Sequence, residues 1–373
     1  MSHSRREFLE FTAAGLLLGP RLLFAEPAGS TRQEPVVGHN GMVVSVSREA
    51  SEAGLAILKS GGNAVDAAIA TAFALAATHP PAGNIGGGGF MLVAPQGAER
   101  PMMVDYREVA PAAATRTMYS PGDSVHNHKA VGVPGTVRGL QLAHKKFGSR
   151  PWKELVTPAV QLAREGFPID DSLANSLNGI LKNSPQFAEL QRVFAPPENR
   201  PAWKEGDRLV QPDLAVTLEL IAEEGPDAFY TGRIADQLAA EMEAGGGIIT
   251  KADLAAYEAK IRVPIHGTFR GYDVFGPAPP SSGGITFVQM LNVLETFNLR
   301  ELGRWSPETL HLMAETMRRA YANRARYLGD PDFVEIPDFL TSKTYARELA
   351  ESIDRRRATP SDEIAADIRL TAE

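Results

Sequence analysis

Cysteine is absent from all 373 residues. That absence excludes disulfides, thiolate nucleophiles, Fe–S clusters and cysteine-ligated zinc. It leaves the compartment open, since a cysteine-free chain tolerates reducing and oxidising surroundings alike. A surplus of positive charge is also missing. Lys plus Arg number 38 against 45 Asp plus Glu, a net charge of −7. Nucleic acid is therefore not an expected partner, because phosphate binding draws on an excess of Lys and Arg. The N-terminal apolar run is short and broken by Gly19, Pro20 and Arg21, so no stable membrane span is expected. No Gly-x-Ser-x-Gly elbow occurs, and Ser281 and Ser282 thus lack the usual setting of a nucleophile.

What is present is material for a core. Hydrophobic residues make up 43% and charged residues 22%, enough to bury one large domain or two ordinary ones. Before that core comes an address. Ser4-Arg5-Arg6-Glu7-Phe8-Leu9 precedes an apolar stretch over residues 11–25. Charge first and apolar core second is the order of an export signal, and the paired arginines mark a twin-arginine type. We expect a signal over residues 1–25, a loose tail over 26–40, and a protein that works in the periplasm or outside the cell.

The body mixes helical and strand periodicity, so the fold class expected is α+β or α/β. Residues 41–46 are β-branched and read as a strand. Ser47 caps a helix over 48–59, and Asn63 with Asp66 starts another over 64–77 in capping-box style. That second helix is Ala-rich and belongs in a buried layer. Strands are expected at 90–94, 101–107, 261–269 and 272–275. Helices are expected at 136–147, 152–164, 213–224, 234–244, 285–297 and 307–327, with a short one after Thr250 and a last one after Ser342. Residues 355–373 form a polar tail.

Few residues stand out as chemistry. Gly86 to Gly89 could offer N–H groups to an anion or make a tight packing turn with positive φ. No Lys-Ser or Lys-Thr follows, so the run is not a P-loop, and packing is the stronger reading. Arg107 ends a strand, where it could grip a carboxylate or pair with Asp105 or Glu108. His126-x-His128 lacks a third ligand and reads as solvent-facing rather than metal-binding. Ser281 and Ser282 read as a turn that caps the next helix. The basic cluster of Arg318, Arg319, Arg324 and Arg326 reads as a solvated face or a surface for another polypeptide.

Several segments together resemble the γ-glutamyltransferase (glutathione hydrolase) family. They include Gly61-Gly62-Asn63-Ala64-Val65-Asp66, Ile85-Gly86-Gly87-Gly88-Gly89-Phe90 and Asp105-Tyr106-Arg107-Glu108. Val131-Gly132-Val133-Pro134-Gly135, Pro279-Pro280-Ser281-Ser282-Gly283-Gly284 and Arg319-Ala320-Tyr321-Ala322-Asn323-Arg324 follow in the family's order. The resemblance runs from about Gly41 onward, with residues 41–354 as the large-subunit region. It implies an N-terminal nucleophile hydrolase, an αββα sandwich, incomplete here without the small-subunit part. It implies a precursor that cuts itself to free an N-terminal threonine, which attacks γ-glutamyl amides without a cofactor.

The family's Thr-Thr-His type motif is not found up to Glu373, and Thr371-Ala372-Glu373 does not match it. The nucleophile is therefore expected downstream, and residues 1–373 alone are expected to be inactive. The resemblance assigns Arg107 to the α-carboxylate of the γ-glutamyl group. It assigns as partners the small subunit, glutathione and other γ-glutamyl compounds, and amino-acid or peptide acceptors. It leaves two alternatives: a related dicarboxylic-acyl (cephalosporin-type) acylase, or a non-catalytic remnant that binds γ-glutamyl compounds or a partner chain.

Overall fold

The computed structural model describes residues 35–123 and 127–365. The expected signal over 1–25, residues 26–34 of the tail, His126, and the end of the polar tail with Thr371 lie outside the described residues. The chain divides into two compact units at Met42 and Val43. In the first, residues 35–42 carry no helix or strand, and Val36, Val37 and Met42 are exposed. The second holds the elements below.

The strand expected over 41–46 does not form. Val44 and Val46 are 81% and 72% exposed, and the stretch has no ladder partner among the described residues. β-Branched residues favour a pleat only where a neighbour pairs with it and covers it. Helix α1 (Arg48–Lys59) follows, with the Ser47 hydroxyl accepting from the Ala50 N–H. Helix α2 (Ala64–Thr78) opens on the expected capping box of Asn63 and Asp66. Asp66 is fully buried and accepts from the N–H of Asn63 and from the N–H and hydroxyl of Ser149. Burial pushes its carboxyl up, but these hydrogen bonds outweigh it and hold the pKa below the ordinary value.

Strands β1 (Phe90–Val93) and β2 (Met102–Asp105) pair antiparallel. Helices α3 (Thr136–Phe147) and α4 (Trp152–Glu165) come next. The short β3 (Phe167–Pro168) leads into α5 (Asp171–Asn183), a helix the sequence reading missed although Asp170 caps it. Then come β4 (Arg208–Leu209), α6 (Pro212–Glu224), α7 (Asp227–Tyr230), α8 (Arg233–Gly245) and α9 (Lys251–Ala256). Helix α1 packs on α2, α2 on α4, and α4 on α6. Ile69, Phe73, Leu140, Leu155, Leu218 and Ile221 are buried at the centre of this layer. The Ala-rich face of α2 permits the close approach. A Cβ at Gly54 would sit 2.2 Å from the Thr71 hydroxyl. Among the described residues no helix is long and apolar enough to cross a membrane.

The strand expected over 261–269 is two strands. β5 (Lys260–Arg262) joins β2, while β6 (Ile265–Phe269) forms a hairpin with β7 (Tyr272–Gly276). Between them lies Pro264, which has no N–H to continue a ladder. The resulting sheets are β1-β2-β5, β3-β4 and β6-β7, so the class is α+β.

The last layer is α10 (Gly283–Leu294), α11 (Pro307–Tyr327) and α12 (Lys343–Glu351). The basic cluster on α11 is not simply a solvated face. Arg319 is 6% exposed and donates to Glu315 Oε2 at 2.6 Å, Ser352 Oγ at 2.7 Å and the Ser352 carbonyl at 2.7 Å. Arg318 also donates to Glu315, and Arg324 donates to the Ser282 hydroxyl. Thr359 donates to both Glu315 oxygens. A buried ion pair thus ties the start of the polar tail to α11.

Burial pushes the Glu315 carboxyl up, but the bonds from Thr359 and Arg319 prevail and hold it at about 2. Its ordinary value is 4.5. A carboxylate with a lowered folded pKa contributes fully above the unfolded value and loses that contribution as pH falls towards the folded one. Wild-type stability should therefore decline between pH 4.5 and about 2 more steeply than that of Glu315→Ala. At neutral pH the same substitution is expected to cost about 3–5 kcal/mol, because Arg319 stays buried without its partner. Urea unfolding of both proteins across that range checks this. Parallel pH dependences would contradict it.

Candidate functional site

The glycine run is built to admit one ring. Tyr106 follows β2, and its N–H and carbonyl pair with Gly89 at 3.0 and 3.2 Å, extending the β1-β2 ladder by one rung. A Cβ at Gly88 would lie 2.5 Å from the Tyr106 carbonyl oxygen, and one at Gly89 would lie 2.8 Å from its ring. From the other side, a Cβ at Gly139 on α3 would lie 2.1 Å from the ring. None of Gly86 to Gly89 has positive φ, so the expected left-handed turn is corrected. These glycines supply space, not handedness.

The same run closes the start of α3, which has no side-chain cap. The Gly87 carbonyl accepts from the N–H groups of Gly135 and Thr136 at 2.7 and 3.0 Å. The Thr136 hydroxyl and the Gly87 N–H both donate to Asn84 Oδ1. Helix-start N–H groups that an anion could have used are thus already satisfied within the protein. The packing reading is the one the geometry has.

Arg107 comes next, exposed two residues past the end of β2, which stops at Asp105 rather than at the expected residue 107. The alternative salt bridge with Asp105 or Glu108 is not formed. Asp105 is 6% exposed, and its Oδ2 accepts from Arg262 Nε at 2.6 Å. Its Oδ1 accepts from the Arg107 N–H at 3.1 Å. The Arg107 carbonyl accepts from the Tyr257 hydroxyl at 2.8 Å. The guanidinium of Arg107 has no hydrogen bond or ion pair among the described residues. It borders a cavity of about 290 Å³ with Asp105, Tyr257, Arg262, Pro280 and Asp332.

The cavity wall is charged: Lys260 and Arg262 are paired with Asp105 and Asp332, while Glu108, Glu258 and Asp330 line it without an ion pair among the described residues. Asp332 meets Lys260 and Arg262, whose bonds hold its carboxyl at about 2. Tyr257 is buried, which pushes its phenol far above the ordinary value, so it stays a neutral donor. Burial likewise pushes Tyr106 up to about 12. Against these paired groups, Arg107 is a cation free to accept a carboxylate in two parallel hydrogen bonds.

The other singled-out residues lie elsewhere or do other work. The Ser281 hydroxyl accepts from the Gly283 N–H at 3.3 Å, but Ser282 does not cap α10 and accepts from Arg324 Nε at 2.8 Å. His128 Nε2 pairs with Glu241 Oε1 at 2.9 Å. Among the described residues no cluster of His, Asp or Glu could hold a metal ion. Of the wall, Tyr257, Arg262 and Asp332 were missed. Nothing near them in sequence pairs them with Asp105, which lies more than 150 residues away from each.

A family model described as gamma-glutamyltranspeptidase matches residues 50–371. The chain is similar to the glutathione hydrolase proenzyme of Escherichia coli (strain K12), 49% identical over 338 residues, covering 88% of this chain and 58% of that protein. It is also similar to the acylase ACY 1 proenzyme of Pseudomonas sp. (strain SE83), 39% identical, covering 87% of this chain and 60% of that protein. The chain thus spans somewhat more than half the length of these curated relatives. The crystal structure of Helicobacter pylori gamma-glutamyltranspeptidase superposes with a TM-score of 0.86 at 39% identity, covering 91% of this chain and 100% of that one.

The Tyr106 socket makes a test in which two effects oppose each other. By helix propensity, Gly139→Ala would gain about 1 kcal/mol. By overpacking against the Tyr106 ring it would lose about 1–3 kcal/mol. A lower melting temperature than wild type is expected, read by circular dichroism. A higher one would mean the ring yields without cost.

Proposed function

Because this chain belongs to the gamma-glutamyltranspeptidase family, we propose that it is the large-subunit part of an exported, self-cleaving γ-glutamyltransferase or glutathione hydrolase. The α+β elements are then the large-subunit share of an N-terminal nucleophile hydrolase αββα sandwich. The nucleophilic threonine is then carried by the small-subunit part of the precursor. Its hydroxyl oxygen attacks the γ-carbonyl carbon of the substrate, and its own α-amine takes the hydroxyl proton. The C–N bond breaks, the amine leaves with that proton, and a γ-glutamyl ester remains. Water or an amino acid then attacks the ester and restores the threonine.

Arg107 supplies what this chain contributes to that reaction. Its free guanidinium beside the charged cavity is the observation that carries the reading. Two N–H groups on the α-carboxylate fix the glutamyl end and present the γ-carbonyl to the nucleophile. A small subunit from the same precursor, γ-glutamyl donors including glutathione, and amino-acid or peptide acceptors complete the proposed assembly. The periplasm, reached through the twin-arginine signal, is its proposed location.

The acylase alternative has weaker support. Relatives named glutathione hydrolase proenzyme reach 49% and 44% identity, against 39% for the acylase. Parallel assays with γ-glutamyl and glutaryl amides separate the two, and faster turnover of the γ-glutamyl amide is expected. In the whole precursor, Arg107→Ala should leave self-cleavage intact. It should raise KM about 10- to 100-fold, the size expected for losing charge-assisted bonds to a carboxylate. Steady-state kinetics of the processed protein checks this, and an unchanged KM would remove Arg107 from the site.

A further inference from the structure

We propose that Tyr257 and Asp105 are positioning residues for Arg107, clamping its peptide from both sides. The proposal rests on the reading of Arg107 as the carboxylate-binding group. The guanidinium itself is exposed and unheld, so the side chain's reach is directed by where its backbone points. Both polar groups of that backbone are taken by side chains rather than by a sheet neighbour. The Arg107 N–H donates to Asp105 Oδ1 at 3.1 Å, and its carbonyl accepts from the Tyr257 hydroxyl at 2.8 Å. Strand β2 has ended at Asp105, so no ladder does this work.

Each half of the clamp is itself held. Tyr257 is 4% exposed and stacks on Tyr230 with ring centroids 5.9 Å apart and planes 14° apart. The Tyr230 hydroxyl donates to the Pro134 carbonyl at 3.0 Å. Gly135 leaves room for the Tyr257 hydroxyl, which would lie 2.1 Å from a Cβ there. On the other side, Arg262 Nε holds Asp105 Oδ2 at 2.6 Å and reaches on to Asp332. That ion pair has a second consequence. It occupies the Asp105 carboxylate, so Asp105 does not draw the guanidinium away from a ligand.

The test uses the whole precursor after self-processing, with a γ-glutamyl anilide as substrate. Tyr257→Phe keeps the ring and its stacking but removes the bond to Arg107. It is expected to raise KM about fivefold, the size expected for one lost hydrogen bond, with kcat within about twofold of wild type. In an Arg107→Ala background the same substitution should add no further rise, because its effect passes through Arg107. A purely structural role would give equal effects in both backgrounds, and that outcome overturns the clamp. An unchanged KM for Tyr257→Phe, beside a raised KM for Arg107→Ala, also overturns the clamp while sparing Arg107. An unchanged KM for Arg107→Ala overturns the carboxylate reading and the clamp together. If Tyr257→Phe does not fold, Asp105→Ala, which removes the bond to the Arg107 N–H, takes its place and is read by the same comparison.

Discussion

Everything around Arg107 depends on how closely backbone can approach the Tyr106 ring. The ring fills a slot between Gly89 and Gly139, where a methyl would come within 2.8 and 2.1 Å of it, and Gly88 faces the Tyr106 carbonyl, 2.5 Å from a Cβ there. That contact brings three separated segments into register. The Gly89–Tyr106 rung sets the end of the β1-β2 ladder, and the Gly87 carbonyl sets the start of α3. Arg107 is the next residue, so its position follows from the slot. A side chain at any of these glycines would move the arginine before it changed any charge.

The charges near the cavity divide into those that build and those left to act. Arg262, Lys260, Asp105 and Asp332 satisfy one another across two strands and a loop. Partly buried pairs of this kind contribute little net stability but fix geometry. Arg107 stands outside the network. Among the cavity's cations, Lys260 and Arg262 are paired with carboxylates, and Arg107 alone has its guanidinium open to a ligand among the described residues. The Glu315–Arg319 pair plays a comparable building role elsewhere, anchoring the stretch around Ser352 and Thr359 to α11.

Local signals were legible, and long-range ones were not. Ser47 and Asn63 marked helix starts because a short polar side chain before an apolar run has one common use. The helices over 48–59, 136–147 and 307–327 have the bounds their periodicity gave. The strand over 41–46 misled because β-branching reports a fit to a covered pleat, and that cover is missing among the described residues. The expectation of one strand over 261–269 followed the strand-forming residues on both sides of Pro264, whose missing N–H divides it. Arg107 drew notice only as an arginine at a strand end; the motif around it suggested a role. Its supports, Tyr257 and Arg262, come from segments 150 residues on, and no pattern in one sequence joins them to it.

Arg107 is proposed to bind the α-carboxylate of a γ-glutamyl ligand. The most direct test is a crystal structure of the complete processed protein with glutamate bound. Two guanidinium nitrogens of Arg107 are expected within about 2.7–3.2 Å of the α-carboxylate oxygens. Glutamate held with its α-carboxylate on other groups, and Arg107 left in solvent, would contradict it.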